Sequence, residues 1–409
     1  MHGLLLTQTK WFHNSNLTCL IKPERVRSFG FFFEKMRNIG LAIIGCGRVG
    51  RMRGKIASEF PGISWIGLCD INEEVGKELK KDINADYLTT NYEELIIREE
   101  VDCVIVATST WSHFEPALIA IENNKKIFIE KPLTLDAKQS RFLIDKIIEK
   151  NIDVCVGYTQ RFRRRFISAK EKIESNQIGH ITCAVTRTFM NKMGPMNELR
   201  LTQDRKYLTP MVVSGTHSLD MSLWLIDDQP QSVFARSSDK ILGEIGTKDA
   251  TFGLFTFNDK IFSMNICWSL PKIWPGASYG LQMGFVGTHG ILDIEDTHRD
   301  VIIVSDFDQG KIYRPKGRED EIDRHVDFLT SFPPGDIYNN ELWGPLKDET
   351  YSWLQRICMG LNTPHTQAEV AHQNLMLTLA MDLSAKTMKE VDLNLSEEEI
   401  MDRLNFENK

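Results

Sequence analysis

The sequence lacks three features that would place it in a specialised class of proteins. It has no run of about 18 consecutive apolar residues, the length that a membrane-spanning helix needs, and its eight cysteines include no CxxC pair. Lys and Arg total 49 against 56 Asp and Glu, so the net charge of −7 provides no basic surface for a polyanion. We therefore expect a globular protein that binds neither a membrane nor a nucleic acid, and whose partner is a small molecule.

The cysteines and histidines also lack the patterns of disulfide frameworks and metal sites. The cysteines are scattered, and several lie in apolar, strand-like runs, where a reduced thiol behaves as a small hydrophobic residue. This distribution is typical of a reducing compartment, and we expect a cytoplasmic protein. The ten histidines show no ligand spacing with Cys or Glu, so we expect no metal ion.

The chain is long enough for two globular domains preceded by a short extension. Its 409 residues are 42% apolar and 26% charged, which suits folded domains with proper cores. Residues 1–37 hold six Lys or Arg against two acids and show no helical or strand period. We interpret them as a disordered or non-native extension, such as an over-extended start site, with a basic transit peptide as the alternative. The predicted domains are 38–157, which binds the cofactor, and 158–409, which binds the substrate and forms oligomers.

The hydrophobic pattern predicts an α/β fold with two different sheets. Up to residue 157, segments such as NIGLAIIG and DCVIVATS are apolar on both faces and alternate with polar, helix-like segments. This alternation indicates βαβ units and a doubly wound parallel sheet. After about residue 160, closely spaced segments with period-two alternation indicate a large, mostly antiparallel sheet. Helices are predicted to return at 216–226 and 347–387.

The segment IIGCGRVGRM, residues 43–52, joins the first predicted strand to the first predicted helix. Gly45 permits a tight turn, Gly47 lets the backbone approach a diphosphate, and Gly50 allows close packing of helix on sheet. The helix that follows supplies free N–H groups at its N-terminus. The next strand ends at Asp70, whose carboxylate can accept hydrogen bonds from ribose hydroxyls and repels a 2′-phosphate. The pattern predicts a dinucleotide site that favours NAD over NADP.

Two loops at the carboxyl ends of predicted strands carry polar residues. Residues 106–120 include the loop after one buried strand, and Glu130, Lys131 and Pro132 end the next strand. Ligands of open α/β sheets bind at this edge. A partly desolvated Lys131 near a substrate hydroxyl can stabilise an alkoxide that develops as hydride leaves. An ordinary solvated lysine is the alternative, and the residues alone leave both interpretations open.

These motifs occur together in one family of oxidoreductases. The chain contains, in this order, GCGRVG, the strand ending in Asp70, VATSTWSH, IEKPLT, VGYTQRF and GTHSLDMSLWL. In this order and spacing the chain resembles the Gfo/Idh/MocA oxidoreductases from about residue 38 to 390. The resemblance implies an N-terminal Rossmann domain, a C-terminal α/β domain with a large open sheet, and nicotinamide-dependent chemistry on sugars or cyclitols. It also implies a homodimer or homotetramer.

The resemblance assigns roles to individual positions. Lys131 and His217 are implied to be catalytic, and the peptide between Lys131 and Pro132 is implied to be cis. The implied substrate-binding residues are Lys131, Tyr158, Arg161 and His217. The implied cofactor-binding residues are Gly45, Gly47, Arg48, Val49, Gly50, Asp70, Thr108, His113, Glu130 and Lys131.

The remaining chemistry depends on His217, which lies near the start of a predicted helix beginning at Thr216. A neutral imidazole is a natural base for a hydroxyl proton while the carbinol hydrogen leaves as hydride. Without the resemblance, a structural role for this histidine is the simpler interpretation. Many family members carry an Asp four residues before this His, where the chain has Val213. Either another group in the 190–210 loop takes its task, or the reaction does not need it, or the protein binds NAD and a sugar without turnover.

A basic cluster follows Arg161, at Arg163, Arg164 and Arg165. An acidic substrate, either a sugar acid or a phosphate ester, would explain these charges. A solvated helix start explains them equally well.

Three functions therefore follow from the sequence. The leading hypothesis is an NAD-dependent dehydrogenase or reductase of a polyhydroxylated small molecule: a sugar, cyclitol or sugar acid. The second is an NAD-dependent glycosidase, which would release free sugar with no net NADH. The third is a non-catalytic regulator that binds NAD and a sugar, which the valine at 213 favours.

Overall fold

The computed structural model describes residues 37–405, with interruptions at 193–195, 197–198, 200–201, 203–204, 206, 272–273, 275–280, 297–301, 307–325, 329–333 and 340. The described residues from Asn38 onward belong to one compact unit. The predicted extension at 1–37 lies outside the described residues apart from Arg37.

The first layer of the unit is a parallel sheet flanked by helices. Its strands are β1 (Ile39–Ile44), β2 (Ile63–Cys69), β3 (Tyr87–Thr89), β4 (Cys103–Val106), β5 (Lys126–Glu130) and β6 (Val154–Gly157). They lie in the order β3–β2–β1–β4–β5–β6, all parallel. The winding reverses between β1 and β4, and ligands of such sheets bind at the carboxyl ends of the strands beside that reversal.

Five helices connect these six strands. They are α1 (Arg48–Ser58), α2 (Glu73–Ile83), α3 (Tyr92–Ile96), α4 (Phe114–Glu122) and α5 (Ala137–Lys150). Asn72 and Asp136 cap α2 and α5 with their side chains, whereas α1 starts at Gly47 with no side-chain cap. The amides at the start of α1 are therefore available to a ligand.

The second layer is a larger, mostly antiparallel sheet. Its strands are β7 (Ile181–Asn191), β8 (Ser232–Ser238), β9 (Ala250–Thr256), β10 (Ile261–Leu270), β11 (Leu281–Gly287) and β12 (Gly290–Glu295). They lie in the order β12–β11–β7–β10–β9–β8, and every pair is antiparallel except β7 with β10. One face contributes Phe255, Phe262 and Phe285 to an apolar core that also includes residues of two helices, α6 (Arg164–Glu174) and α7 (Thr216–Ile226). Two small two-stranded sheets pair β13 (Ile302–Val304) with β14 (Val326–Phe328), and β15 (Asp336–Tyr338) with β16 (Glu341–Trp343).

The chain then returns to the first sheet. Helix α8 (Pro345–Met359) packs on α1, and β17 (Thr366–Gln367) pairs antiparallel with β6 as a seventh strand. The long helix α9 (Ala368–Thr387) then runs against β8, β18 (Val391–Asp392) extends the second sheet beyond β8, and α10 (Glu397–Asn405) packs on α9 and α5. The first sheet and the helices around it therefore include residues 345–367, which lie far beyond its other strands in the sequence.

The predicted α/β class and the two kinds of sheet are confirmed, and α7 has the predicted bounds. The helical region predicted at 347–387 consists of two helices, because Gly360 ends α8 in the left-handed conformation, with φ of 68°. The pattern did not predict the π-helix at Pro210–Gly215, which leads directly into α7. Such wide turns are rare and occur frequently at functional sites.

Candidate active site

Three glycines form a tight turn between β1 and α1. Gly45 has φ of 93°, and a Cβ atom there would lie 2.6 Å from the Ala107 carbonyl oxygen. A Cβ on Gly50 would lie 1.8 Å from the Gly45 carbonyl oxygen, so only glycine lets the helix approach this closely. A Cβ on Gly47 would meet no atom within 4 Å. The first and third glycines are needed by the fold, whereas the second borders open space.

The open space beside Gly47 lies at the start of α1. The exposed Arg48 and the half-buried Val49 are the first two residues of α1 and place their N–H groups at its uncapped end. Asp70, at the end of β2, accepts a hydrogen bond from the Cys46 amide at 2.8 Å and another from the Asn72 amide at 2.8 Å, on different carboxylate oxygens. Each oxygen keeps a second acceptor position for a ribose hydroxyl.

His113 connects the loop after β4 with the loop after β5. Its Nδ1 lies 2.8 Å from the Pro132 carbonyl oxygen, and its Nε2 lies 3.3 Å from the Thr108 carbonyl oxygen. The ring is buried, and burial lowers its pKa below the ordinary value. The Lys131–Pro132 peptide is cis. The histidine therefore fixes the two loops that carry Thr108 and Lys131.

Lys131 is held by the backbone of the π-helix. Its Nζ donates a hydrogen bond to the Val213 carbonyl oxygen at 2.9 Å. The Val213 side chain is buried in an apolar cluster with Leu208 and Trp268. Val213 therefore supplies a carbonyl acceptor to the ammonium and an apolar side chain to the core.

His217 lies at the start of α7, one helical turn beyond Val213. Its Nδ1 is buried and has no hydrogen-bond partner among the described residues. Burial lowers the pKa of the imidazole well below its ordinary value, and the charges of Lys131 and Arg163 lower it further. The ring packs edge-on against Tyr158, with 5.8 Å between centroids. His217 is therefore neutral at physiological pH, and its side chain is half-buried.

Tyr158 supports this histidine from the end of β6. Its hydroxyl shares a hydrogen bond with Thr216 Oγ1 at 2.7 Å, and its side chain is buried. Burial raises the pKa of the phenol well above its ordinary value, so it stays protonated. The tyrosine contacts both the imidazole and the residue before it, which restricts the position of the ring.

Three of the arginines beyond Tyr158 form ion pairs with carboxylates of the chain. Arg161 donates two hydrogen bonds to the Asp220 carboxylate, each at 2.7 Å, and Asn374 donates a third at 2.9 Å. Arg163 and Arg165 both pair with Asp296. Arg161 is neutralised by Asp220, whereas Arg163 and Arg165 share the single carboxylate of Asp296, and Arg164 is exposed.

A buried charge cluster beneath Glu130 was not predicted. The Arg53 guanidinium is fully buried and pairs with Glu130 at 2.5 Å and with Glu349 at 2.7 Å. Burial raises the pKa of Glu349 to about 7, against the lowering effect of Arg53. The cluster joins α1, β5 and α8 below the loop of Lys131. In the sequence, Arg53 looks like an ordinary solvated cation on a helix. Its partner Glu349 is almost 300 residues further along the chain, so no local pattern could indicate the pairing.

Among the described residues, no cluster of His, Cys, Asp or Glu could hold a metal ion, and no helix has the length and apolar character required to cross a membrane.

The parallel sheet, the glycine turn and the carboxylate at the end of β2 define a dinucleotide-binding protein with a second α/β domain. The family model for the oxidoreductase family with an NAD-binding Rossmann fold, Gfo/Idh/MocA, matches residues 39–158, and the C-terminal domain model of the same family matches residues 166–293. The chain belongs to the Gfo/Idh/MocA oxidoreductase family, as the sequence motifs predicted.

Several proteins similar to this chain are dehydrogenases of cyclitols, and another is a 2,7-anhydro-N-acetylneuraminate hydratase of Mediterraneibacter gnavus, 25% identical over 269 residues. The chain is 25% identical over 222 residues to a myo-inositol 2-dehydrogenase of Thermotoga maritima, which covers 53% of this chain and 64% of the relative. It is 29% identical over 208 residues to an inositol 2-dehydrogenase of Agrobacterium fabrum, covering 49% and 59%. The chain thus spans less than two thirds of the length of these two inositol dehydrogenases. The scyllo-inositol dehydrogenase of Lactobacillus casei, solved with NAD(H) and scyllo-inositol, has the same fold, with a TM-score of 0.70, 16% identity, and coverage of 88% and 100%.

Proposed function

We propose that the protein is an NAD-dependent dehydrogenase or reductase acting on a CH–OH group of a polyhydroxylated small molecule. The observation that carries the proposal is the neutral imidazole of His217, which lies one helical turn beyond the residue whose carbonyl holds the Lys131 ammonium and close enough to that ammonium for its charge to lower the imidazole pKa. Curated relatives that act on inositols support the substrate class.

In the proposed mechanism, the two side chains act on one substrate oxygen. The neutral imidazole of His217 accepts the hydroxyl proton, and its lowered pKa keeps it in the basic form. The Lys131 ammonium donates a hydrogen bond to the same oxygen and stabilises its developing negative charge. Bound NAD supplies the acceptor for the hydride. Val213 orients the ammonium through its carbonyl oxygen, which replaces the orientation that an Asp provides elsewhere in the family.

The predicted cofactor and substrate residues remain proposals with different kinds of support. The adenosine and diphosphate are proposed to lie against the turn of Gly45, Gly47 and Gly50, together with Arg48, Val49 and Asp70. The nicotinamide half of the cofactor is proposed to lie beside Thr108, Glu130 and Lys131. His113 is proposed to contribute indirectly, by fixing the two loops that carry these residues. Tyr158 and Arg161 are proposed to act through His217 and Asp220, because their polar groups are engaged within the protein.

The test is turnover of a panel of cyclitols, aldoses and sugar acids with NAD and with NADP, measured as absorbance of reduced cofactor. We expect reduction of NAD with at least one neutral polyol, and weak activity with NADP because Asp70 repels a 2′-phosphate. Free sugar released from glycosides without net NADH would instead establish the glycosidase. Tight NAD binding with no turnover across the panel would instead favour a regulator.

We also propose that the protein is a homo-oligomer assembled through the open face of the second sheet. Apolar side chains on that face are exposed, including Phe234, Phe252 and Leu254, and Phe234 is the cross-strand neighbour of Leu254. Contiguous exposed apolar patches of this kind mark protein interfaces.

Sedimentation velocity tests the oligomer directly. We expect a dimer or tetramer for the wild type and a monomer for the double variant Phe252→Asp, Leu254→Asp, because two buried carboxylates oppose association. The matched control is Ile148→Asp, an exposed apolar residue on α5 that should leave the oligomer intact. A monomeric wild type at micromolar concentration would contradict the proposal.

The seven described cysteines form no disulfide. This state matches a reducing compartment, and we propose a cytoplasmic location.

A further inference from the structure

The π-helix at Pro210–Gly215 connects the two groups that the proposed mechanism uses. Its Val213 carbonyl oxygen accepts the hydrogen bond from Lys131 Nζ at 2.9 Å. The π-helix leads without a break into α7, whose second residue is His217. All six residues of the π-helix are buried, so its position depends on contacts inside the protein. A contact that fixes this segment therefore fixes both the ammonium and the imidazole.

The start of the π-helix is held by the hydroxyl of Thr209, which makes two hydrogen bonds. Its Oγ1 accepts one from the Val212 amide at 3.2 Å and donates one to Asp382 Oδ2 at 2.6 Å. The Val213 amide also donates a hydrogen bond to the Thr209 carbonyl oxygen at 3.1 Å. Asp382 belongs to α9 and lies 173 residues further along the chain. The first turn of the π-helix is therefore tied to α9.

The carboxyl group of Asp382 determines which way the Thr209 hydroxyl points. A hydroxyl has one hydrogen and two lone pairs, and it rotates to suit its partners. When the hydrogen is directed at Asp382, a lone pair remains for the Val212 amide. Without this acceptor, the hydrogen can turn to a nearby backbone carbonyl instead. Asp382 therefore keeps the threonine in the orientation that caps the π-helix.

The far end of the π-helix is held by a separate contact. Trp268 Nε1, on β10, donates a hydrogen bond to Ser214 Oγ at 2.9 Å, and both residues are buried. The peptide group of Val213 thus lies between a contact with α9 and a contact with β10. Wide helical turns of this kind are rare. We therefore expect this turn to depend on both contacts for its shape.

The surroundings of Asp382 are unfavourable for a carboxylate. Burial raises the pKa of this carboxyl to about 7, although the Thr209 hydrogen bond and the charge of Lys248 lower it. The mechanism proposed above does not use this group. Carboxyls with strongly perturbed pKa values cluster at functional sites. The hydrogen bond to Thr209 connects this one to the reaction site.

We propose that Asp382 is a positioning residue that fixes the π-helix through the Thr209 hydroxyl. It thereby fixes the Val213 carbonyl that holds Lys131, and the start of the helix that carries His217. This inference rests on the proposed dehydrogenase function and adds two residues that do not touch the substrate. Their loss should affect kcat more than substrate binding, because the ammonium stabilises a charge that develops only in the transition state.

The test begins with Thr209→Val, which removes the hydroxyl and keeps the shape of the side chain. We expect kcat for polyol oxidation with NAD to fall about tenfold, because small displacements of reacting groups are costly. The KM for the polyol and the Kd for NAD should stay within about twofold. Thr209→Ser restores the hydroxyl and should recover kcat to within about threefold. Asp382→Ala should match Thr209→Val, and the double variant should fall no further, because both changes remove the same hydrogen bond.

The matched control is Ser384→Ala, on the same helix as Asp382. The Ser384 hydroxyl accepts a hydrogen bond from the Ala235 amide of β8 at 2.8 Å and donates one to the Lys389 carbonyl oxygen at 2.5 Å. This variant should lose thermal stability, as Thr209→Val does, but keep the wild-type kcat. Two results would overturn the inference: a wild-type kcat in Thr209→Val, or an equal fall of kcat in both variants.

The pKa of His217, measured by NMR of its ring, separates this inference from the proposed function. His217→Asn identifies the resonance. The charge of Lys131 lowers this pKa, so release of the ammonium from Val213 should raise it in Thr209→Val and leave it unchanged in Ser384→Ala. A raised pKa in a protein that turns over no polyol supports the positioning role and refutes the dehydrogenase alone. An unchanged pKa in Thr209→Val refutes the positioning role, whether or not the wild type is active.

Discussion

Replacing His217 with Asn is expected to lower kcat/KM for polyol oxidation by roughly 10²- to 10⁴-fold, the usual contribution of a general base. The amide occupies part of the imidazole volume but cannot accept a proton, so the fold and the NAD site should be preserved. Steady-state kinetics, calorimetric titration with NAD and thermal unfolding of the same preparation provide the measurement. Wild-type turnover by His217→Asn, or a parallel loss of NAD affinity, would contradict the assigned role.

The acid side of the pH profile gives an independent readout of the same group. Because burial and two neighbouring cations lower the pKa of His217, the neutral base persists as the pH falls, and kcat/KM should decline only well below the pH at which an ordinary histidine titrates. Removing one cation in Lys131→Met raises the pKa, so the residual activity should decline at a higher pH than in the wild type. A shift in the opposite direction would show that the titrating group is not this histidine.

Substituting Gly47 with Ala is expected to raise the Kd for NAD at least tenfold, about 1.4 kcal/mol, without destabilising the protein. The backbone there has φ of −63°, which alanine adopts, and the new methyl group meets no protein atom within 4 Å. The methyl group instead occupies the space proposed for the diphosphate. The free energy of unfolding should be unchanged or higher by about 0.4–1 kcal/mol, because alanine restricts the unfolded chain.

The matched variant is Gly50→Ala, where the added Cβ would lie 1.8 Å from the Gly45 carbonyl oxygen. This variant should lose thermal stability, because the helix must move away from the sheet. The pair separates the two uses of glycine in one turn: a ligand approach at 47 and a packing contact at 50. Equal NAD affinity for Gly47→Ala and wild type would exclude the diphosphate from this space.

Those parts of the site that depend on neighbours in the chain could be predicted from the sequence. The glycine turn and the end of β2 follow from local spacing, because a strand, a turn and a helix must fit together within about thirty residues. Lys131 could be placed at the carboxyl edge of the sheet because β5 is short and apolar. The bounds of α7 follow from its apolar side and from Asp227, which ends it in the left-handed conformation.

The parts that depend on distant partners could not be predicted. Arg161 shows no local sign that its partner is Asp220, and Arg53 meets Glu349 only because the chain returns to the first sheet. The replacement of a family Asp by Val213 left a gap in the sequence interpretation. At this position the π-helix supplies a backbone carbonyl to Lys131, a group that every residue carries and that no residue pattern reveals.

The return of the chain through α8 and β17 has a consequence for how the two halves can be separated or exchanged. A gene fragment ending at residue 157 would leave the edge of β6 uncovered and remove one of the two carboxylates that neutralise Arg53. Recombination with a relative must therefore transfer residues 345–367 together with the nucleotide half. The nucleotide half therefore consists of two separate stretches of the sequence, and it cannot be cloned as one consecutive piece.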